Sequence, residues 1–101
     1  MDDKNITDPA EQIEMGDRYY NGDGAEQDYE QAIYWYAKAA EQGSADAQYY
    51  IGLMYYQGEG VKEDEIQAYE WFIKAADQGH EDALEFLYGD GHNDGQYDAW
   101  I

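Results

Sequence analysis

The sequence predicts an all-α chain, a short α-α superhelix (solenoid) of two helix-pair repeats closed by a C-terminal capping helix. Three observations carry this expectation. The sequence matches itself after a displacement of thirty-six residues, each copy is cut in two by a pair of glycines, and the segments between place apolar residues at helical spacing. Under the displacement Gly16 falls on Gly52, Tyr19-Tyr20 on Tyr55-Tyr56, Gly22 and Gly24 on Gly58 and Gly60, and Asp28 on Asp64. The match continues through Ala32 and Ala68, Trp35 and Trp71, Lys38-Ala39-Ala40 and Lys74-Ala75-Ala76, and Gln42-Gly43 and Gln78-Gly79. A fixed period of this size belongs to stacked repeats, whose units bury their apolar faces only against one another.

The elements follow in order. Asp8 caps a first helix near 9–20, with Pro9 in the first turn, where its missing N–H costs nothing. Asn21-Gly22-Asp23-Gly24 breaks it, and a second helix runs over 28–42. In the second unit Ser44 caps a helix over 45–56 in which Ala47, Ile51 and Tyr55 share a face. Gln57-Gly58-Glu59-Gly60 ends that helix, Asp64 caps the next, Ala68, Trp71 and Ala75 share its inner face, and Gly79 closes it. Small residues at Gly16, Gly52, Ala32, Ala39, Ala68 and Ala75 let paired helices approach, with Trp35 and Trp71 filling the space between pairs. A short helix over 82–88 follows, with Ala83 and Leu87 in the places of Ala47 and Ile51, and Tyr88 where the glycine would stand. The repeats thus occupy about 9–43 and 45–79 within a domain of 1–88. An irregular acidic tail follows over 89–101, in which Trp100 and Ile101 either fold back on the last helix or stay free to dock elsewhere.

These residues resemble Sel1-like repeats, relatives of the tetratricopeptide family. The second unit carries the pattern as Ala47, Ile51-Gly52, Tyr55, Gly58-Glu59-Gly60-Val61, Asp64, Ala68, Trp71, Lys74-Ala75-Ala76 and Gly79. The first unit departs from it at Glu11 and Ala25 and has Met15 for Leu, which suits a terminal unit. The resemblance implies a right-handed superhelix whose first helices line a concave face, and a role as adaptor or interaction scaffold. It names no partner, because fold and function are separable.

Composition narrows the partners. The chain holds 24 Asp and Glu against Lys4, Arg18, Lys38, Lys62 and Lys74, a formal charge of -19. Direct nucleic-acid binding needs clustered cations, and an anionic membrane would repel such a chain. A basic protein would be attracted. Without cysteine there is no disulfide, thiolate zinc site or thiol nucleophile, and no apolar run reaches the roughly 18 residues of a membrane span. The N-terminus lacks the pattern of a signal peptide, so a cytoplasmic protein is expected.

Candidate chemistry is sparse. Ser44, the one serine, suits a cap better than a nucleophile, and the acids of Glu63-Asp64-Glu65 suit a helix start. His80 and His92 are too few for a metal centre, and Asp90 to Gly95 lacks the ligands that a calcium loop needs at its third and twelfth positions. No enzyme activity, cofactor or metal is expected. Partner binding is expected at first-helix positions outside the repeat pattern, namely Ile13, Asp17, Tyr20, Tyr49, Tyr50, Leu53, Met54 and Tyr56, and at Trp100. Tyr49, Leu53 and Tyr56 form an apolar stripe that serves either as a partner's anchor site or as packing for the capping helix or the tail. The expected function is a non-catalytic protein–protein interaction module, acting as a monomer or weak homo-oligomer. The alternative is an acidic inhibitor or immunity protein that neutralises a basic, nuclease-type toxin, or a mimic of nucleic acid. Adaptation to high salt would also account for the charge.

Overall fold

A computed structural model describes residues 6–89, and within them the chain forms five α-helices and no strand. They are α1 (Pro9–Asn21), α2 (Tyr29–Glu41), α3 (Ala45–Gln57), α4 (Glu65–Asp77) and α5 (Glu81–Tyr88). Each starts at a side chain that accepts a hydrogen bond from an otherwise orphaned first-turn N–H. Asp8 accepts from Ala10, Asp28 from Glu30 and Gln31, Ser44 from Ala47 and Asp64 from Gln67. The helices expected over 9–20 and 45–56 each run one residue further, to the left-handed Gly22 (φ 70) and Gly58 (φ 72). That conformation turns the chain back toward its partner helix and favours glycine, which has no Cβ to clash.

Helices α1 and α2 form one hairpin and α3 and α4 a second, stacked through α2 against α3, while α5 leans on α4. This is the all-α superhelix of helix pairs that the period implied. The inner faces are lined by alanines with no exposed surface, Ala32, Ala39, Ala47, Ala68, Ala75 and Ala83. The two tryptophans expected to fill the space between neighbouring pairs differ from each other in burial. Trp35 is buried, but Trp71 is only partly so, and the fully enclosed aromatic of the second pair is Phe72, one residue later. Its counterpart in the first pair is Tyr36, at 3% exposure.

The glycines at 16 and 52 explain these rings. A methyl group on Gly16 would lie 2.5 Å from Tyr36 Cε1, and one on Gly52 2.6 Å from Phe72 Cε1, well inside any real carbon contact. Each glycine is therefore a recess for the aromatic side chain of the opposing helix. A second repeating device is polar: Gln42 donates to the buried Gln12 at 2.9 Å, and Gln78 to the buried Gln48 at 3.0 Å. Gln12 donates to Ile6 O and Gln48 to Ala40 O, so each buried amide serves as both donor and acceptor. At the next step of the period stands Leu84, which is exposed and cannot continue the series.

The units also meet through a loop. Gly60 (φ 80) approaches the carbonyl of Tyr29 so closely that a Cβ would lie 2.8 Å from its oxygen, whereas the equivalent Gly24 faces only Arg18 Cδ at 3.8 Å. The last helix packs by Ala83 and by Phe86, whose ring centroid is 4.3 Å from that of Phe72. Outside it, Tyr69, Ile73 and Tyr88 are exposed along an apolar groove at the C-terminal end of the stack.

Gly52→Ala decides between helix propensity and packing. Alanine favours a helix interior by about 1 kcal/mol, but overpacking costs about 1–3 kcal/mol and Phe72 is held by Tyr49, Tyr69 and Phe86. The expected result is a lower midpoint of thermal unfolding, by several degrees, with partial recovery in Gly52→Ala/Phe72→Leu; an unchanged or higher midpoint would show that the ring yields.

Candidate functional site

The first helices of the two pairs do not pack tightly on each other, and between them opens a cavity of about 310 Å³. Asp17, Tyr20 and Asn21 of α1 form one wall, Tyr50, Leu53 and Met54 of α3 the other, and Tyr36 of α2 the floor. Ligand pockets span roughly 300–1,000 Å³, so this one accommodates a single side chain better than a cofactor.

Two short hydrogen bonds shape it. The Tyr36 hydroxyl donates to Asp17 Oδ1 at 2.6 Å, and the Tyr20 hydroxyl donates to Glu59 Oε1 at 2.5 Å, which ties α1 to the loop of the second unit. Tyr20 also packs against Tyr29, and Tyr36 against Tyr50, with centroids 5.1 Å apart in each case. Burial first, then the adjacent carboxylate, pushes the Tyr36 and Tyr20 hydroxyls well above their ordinary value near 10. Tyr50 and Tyr49 are raised as well, first by burial and then by nearby acids, Asp17, Asp46 and Asp82 for Tyr50 and Asp82 and Glu85 for Tyr49. At neutral pH the cavity is thus a set of uncharged phenols among carboxylates.

The two units diverge here in a paired way. The hydrogen-bonded Tyr36 and Asp17 of the first unit correspond to Phe72 and Leu53 of the second, so a polar couple is replaced by an apolar one. Such paired exchange avoids a buried hydroxyl without a partner, the costly intermediate.

Of the residues expected to bind a partner, Asp17, Tyr20, Tyr50 and Leu53 come together at this cavity. Met54 lines it as well and is 1% exposed, packed in the core between the units. The same position in α1 holds the exposed Arg18, since no unit precedes α1 among the described residues. Ile13 is partly buried against the core. The apolar stripe is divided: Tyr49 stacks on His80 at 4.9 Å and packs on Phe72, and Tyr56 packs on Tyr69 and Phe86, leaving Leu53 in the cavity. Trp100, with the tail, lies outside the described residues.

Sequence reasoning missed Tyr36 and Glu59, which lie on the second helix and in a loop. The signal available was the exchange of Tyr36 for Phe72 within an otherwise repeated helix. His80 is the cap of α5, its Nδ1 accepting from Ala83 N while Nε2 lies 2.8 Å from Asp46 Oδ1. This geometry places the ring proton on Nε2. Among the described residues no group of three His, Cys, Asp or Glu converges as a metal site, and no helix is long and apolar enough to cross a membrane.

Because the folded state raises these tyrosine hydroxyls, their stabilising effect is complete below pH 10, the ordinary value, and is lost as pH rises beyond it. Thermal midpoints should fall steeply above that pH, with tyrosinate absorbance lagging behind free tyrosine until the chain unfolds, and Tyr36→Phe should flatten the fall. In a double-mutant cycle, Asp17→Leu alone should destabilise by about 1–2 kcal/mol by leaving the Tyr36 hydroxyl without its acceptor, and Tyr36→Phe/Asp17→Leu should recover most of it; additive midpoints would show no coupling.

The Sel1 repeat family model matches residues 12–44 and 45–80. A Sel1 repeat protein from Oxalobacter formigenes superposes with a TM-score of 0.80 at 39% identity, over 90% of this chain and 39% of that one. A protective antigen of uropathogenic Escherichia coli with an SLR fold superposes at 0.75 and 42% identity, over 86% of this chain and 18% of that one. Helicobacter pylori cysteine rich protein B superposes at 0.74 and 34% identity, over 78% of this chain and 59% of that one. The chain therefore spans less than two thirds of each of these structures. Among curated proteins no relative matches.

Proposed function

The chain belongs to the Sel1 repeat family, whose members are generally protein–protein interaction modules, and we propose that it binds a partner protein in the groove between α1 and α3. The observation that carries this reading is the cavity itself. Tyrosine faces, an aliphatic wall and a carboxylate meet there on first helices that face each other without packing. Half-buried aromatic residues in a concave site are the usual anchors of an interface.

The proposed role is non-catalytic, in the cytoplasm, with this chain as a monomer or weak homo-oligomer. The carboxylates at the cavity hold tyrosine hydroxyls in place, an arrangement suited to shape and not to proton transfer. A narrower second reading makes the partner basic and this chain its inhibitor. It is favoured by the charge of -19 and by the absence of Arg or Lys from the cavity wall. Association with such a partner would be fast and would slow as salt rises.

The test compares the intact chain with Leu53→Lys, which places a long cation in the cavity at a site outside the core. Far-UV circular dichroism and the thermal midpoint should stay close to the parent. Partner capture from the native cell, followed by titration calorimetry with the purified partner, should show binding by the parent and at least about a tenfold loss in the variant, near 1.4 kcal/mol. A folded variant that binds its partner undiminished places the interface elsewhere, and turnover of a substrate by the purified chain alone overturns the non-catalytic role.

A further inference from the structure

The distribution of charge around the cavity narrows what can enter it. Of the four cations in the described residues, Lys38 lies over the Tyr34 ring at 5.2 Å and Lys74 over Trp71 at 4.8 Å, both on the second helices. Arg18 is exposed beside Gly24, and Lys62 is exposed in the loop before α4. None lines the cavity. Its wall instead holds Asp17, its rim Glu59, and the charges of Asp46 and Asp82 are felt at Tyr50. The negative potential is thus met by no internal counter-charge at the place where the surface is concave and aromatic.

We propose that this cavity receives one arginine side chain from the partner protein, with the guanidinium against Asp17 and the aliphatic stem along Leu53. This rests on the partner-binding reading and names the chemistry of the contact. Three features select arginine. Asp17 gives Oδ1 to the Tyr36 hydroxyl and keeps its other oxygen, on the cavity wall, for a second donor. Tyr20 and Tyr50, both partly exposed at the cavity, offer ring faces on which a planar cation stacks. Leu53 supplies an apolar strip for the methylenes that a long cationic side chain buries while its head stays polar. A leucine or methionine in the same place would leave Asp17 facing hydrocarbon, and an acidic side chain would be repelled.

The probe is a short peptide with acetylated and amidated ends and a central arginine between glycines and serines, titrated into the full chain and followed by NMR at about 0.15 M salt, where long-range attraction is screened beyond about 8 Å. Signals of Tyr20, Tyr36, Tyr50 and Leu53 should shift and saturate. Asp17→Asn, which still accepts from Tyr36, should weaken binding about tenfold, and peptides with citrulline or leucine in place of arginine should fail to saturate. Equal binding of the leucine peptide, indifference to Asp17→Asn, or unsaturable shifts spread over the acidic surface would each overturn the proposal. If the arginine peptide fails while Leu53→Lys still abolishes partner binding, the arginine reading falls and the groove stands. If the peptide binds and Leu53→Lys leaves the partner bound, the partner-binding reading falls instead.

Discussion

An aromatic ring seated on bare helical backbone is the contact on which the rest of this fold depends. Tyr36 lies in the recess left by Gly16 and Phe72 in that left by Gly52. No larger residue than glycine fits beneath either ring without displacing it, and the rings cannot retreat because their outer faces are packed against other aromatics. This fixes the approach of each helix pair, and with it the positions of the alanines that seal the inner faces. The order is physical: an enclosed interior is close-packed, so once the largest side chain is placed the small ones have little freedom left.

Repetition stops where the pairs face outward. The glycine recess, the glutamine pair and the acidic caps recur at the same step, because every unit must solve the same packing and capping problem. The groove residues are released from that demand and differ between units. Asp17 and Tyr36 are joined by a hydrogen bond where the second unit has Leu53 and Phe72. The same helix that secures the stack through Phe72 in one unit therefore delivers a hydroxyl to the cavity in the other. Core and site are built from equivalent positions, and one oxygen atom separates their roles.

Much of this was legible in the residues. The period, the glycine breaks and the caps at Asp8, Asp28, Ser44 and Asp64 mark the helices because capping and turning are local, decided by neighbours within a few residues. Four groove residues, Asp17, Tyr20, Tyr50 and Leu53, were legible too, as first-helix positions that the pattern does not use. The burial of Met54 was not legible, because helical spacing says which side chains share a face and not which neighbour covers that face. Tyr49 and Tyr56 could not be resolved between groove and cap for the same reason, until Phe72, Phe86 and His80 were seen against them.

The sequence alone determined the all-α class, the two stacked pairs and the family, since these rest on periodicity and local backbone chemistry. Tertiary structure decided which aromatic is core, that Tyr36 floors the cavity and Glu59 holds Tyr20 beside it, and that the stripe on α3 is divided between cavity and cap. Those outcomes depend on contacts between residues thirteen to thirty-nine positions apart, such as Tyr56 with Tyr69, Tyr36 with Asp17 and Tyr20 with Glu59. Distances of that kind are set by how rigid helices pack in space, and no local pattern along the chain records them.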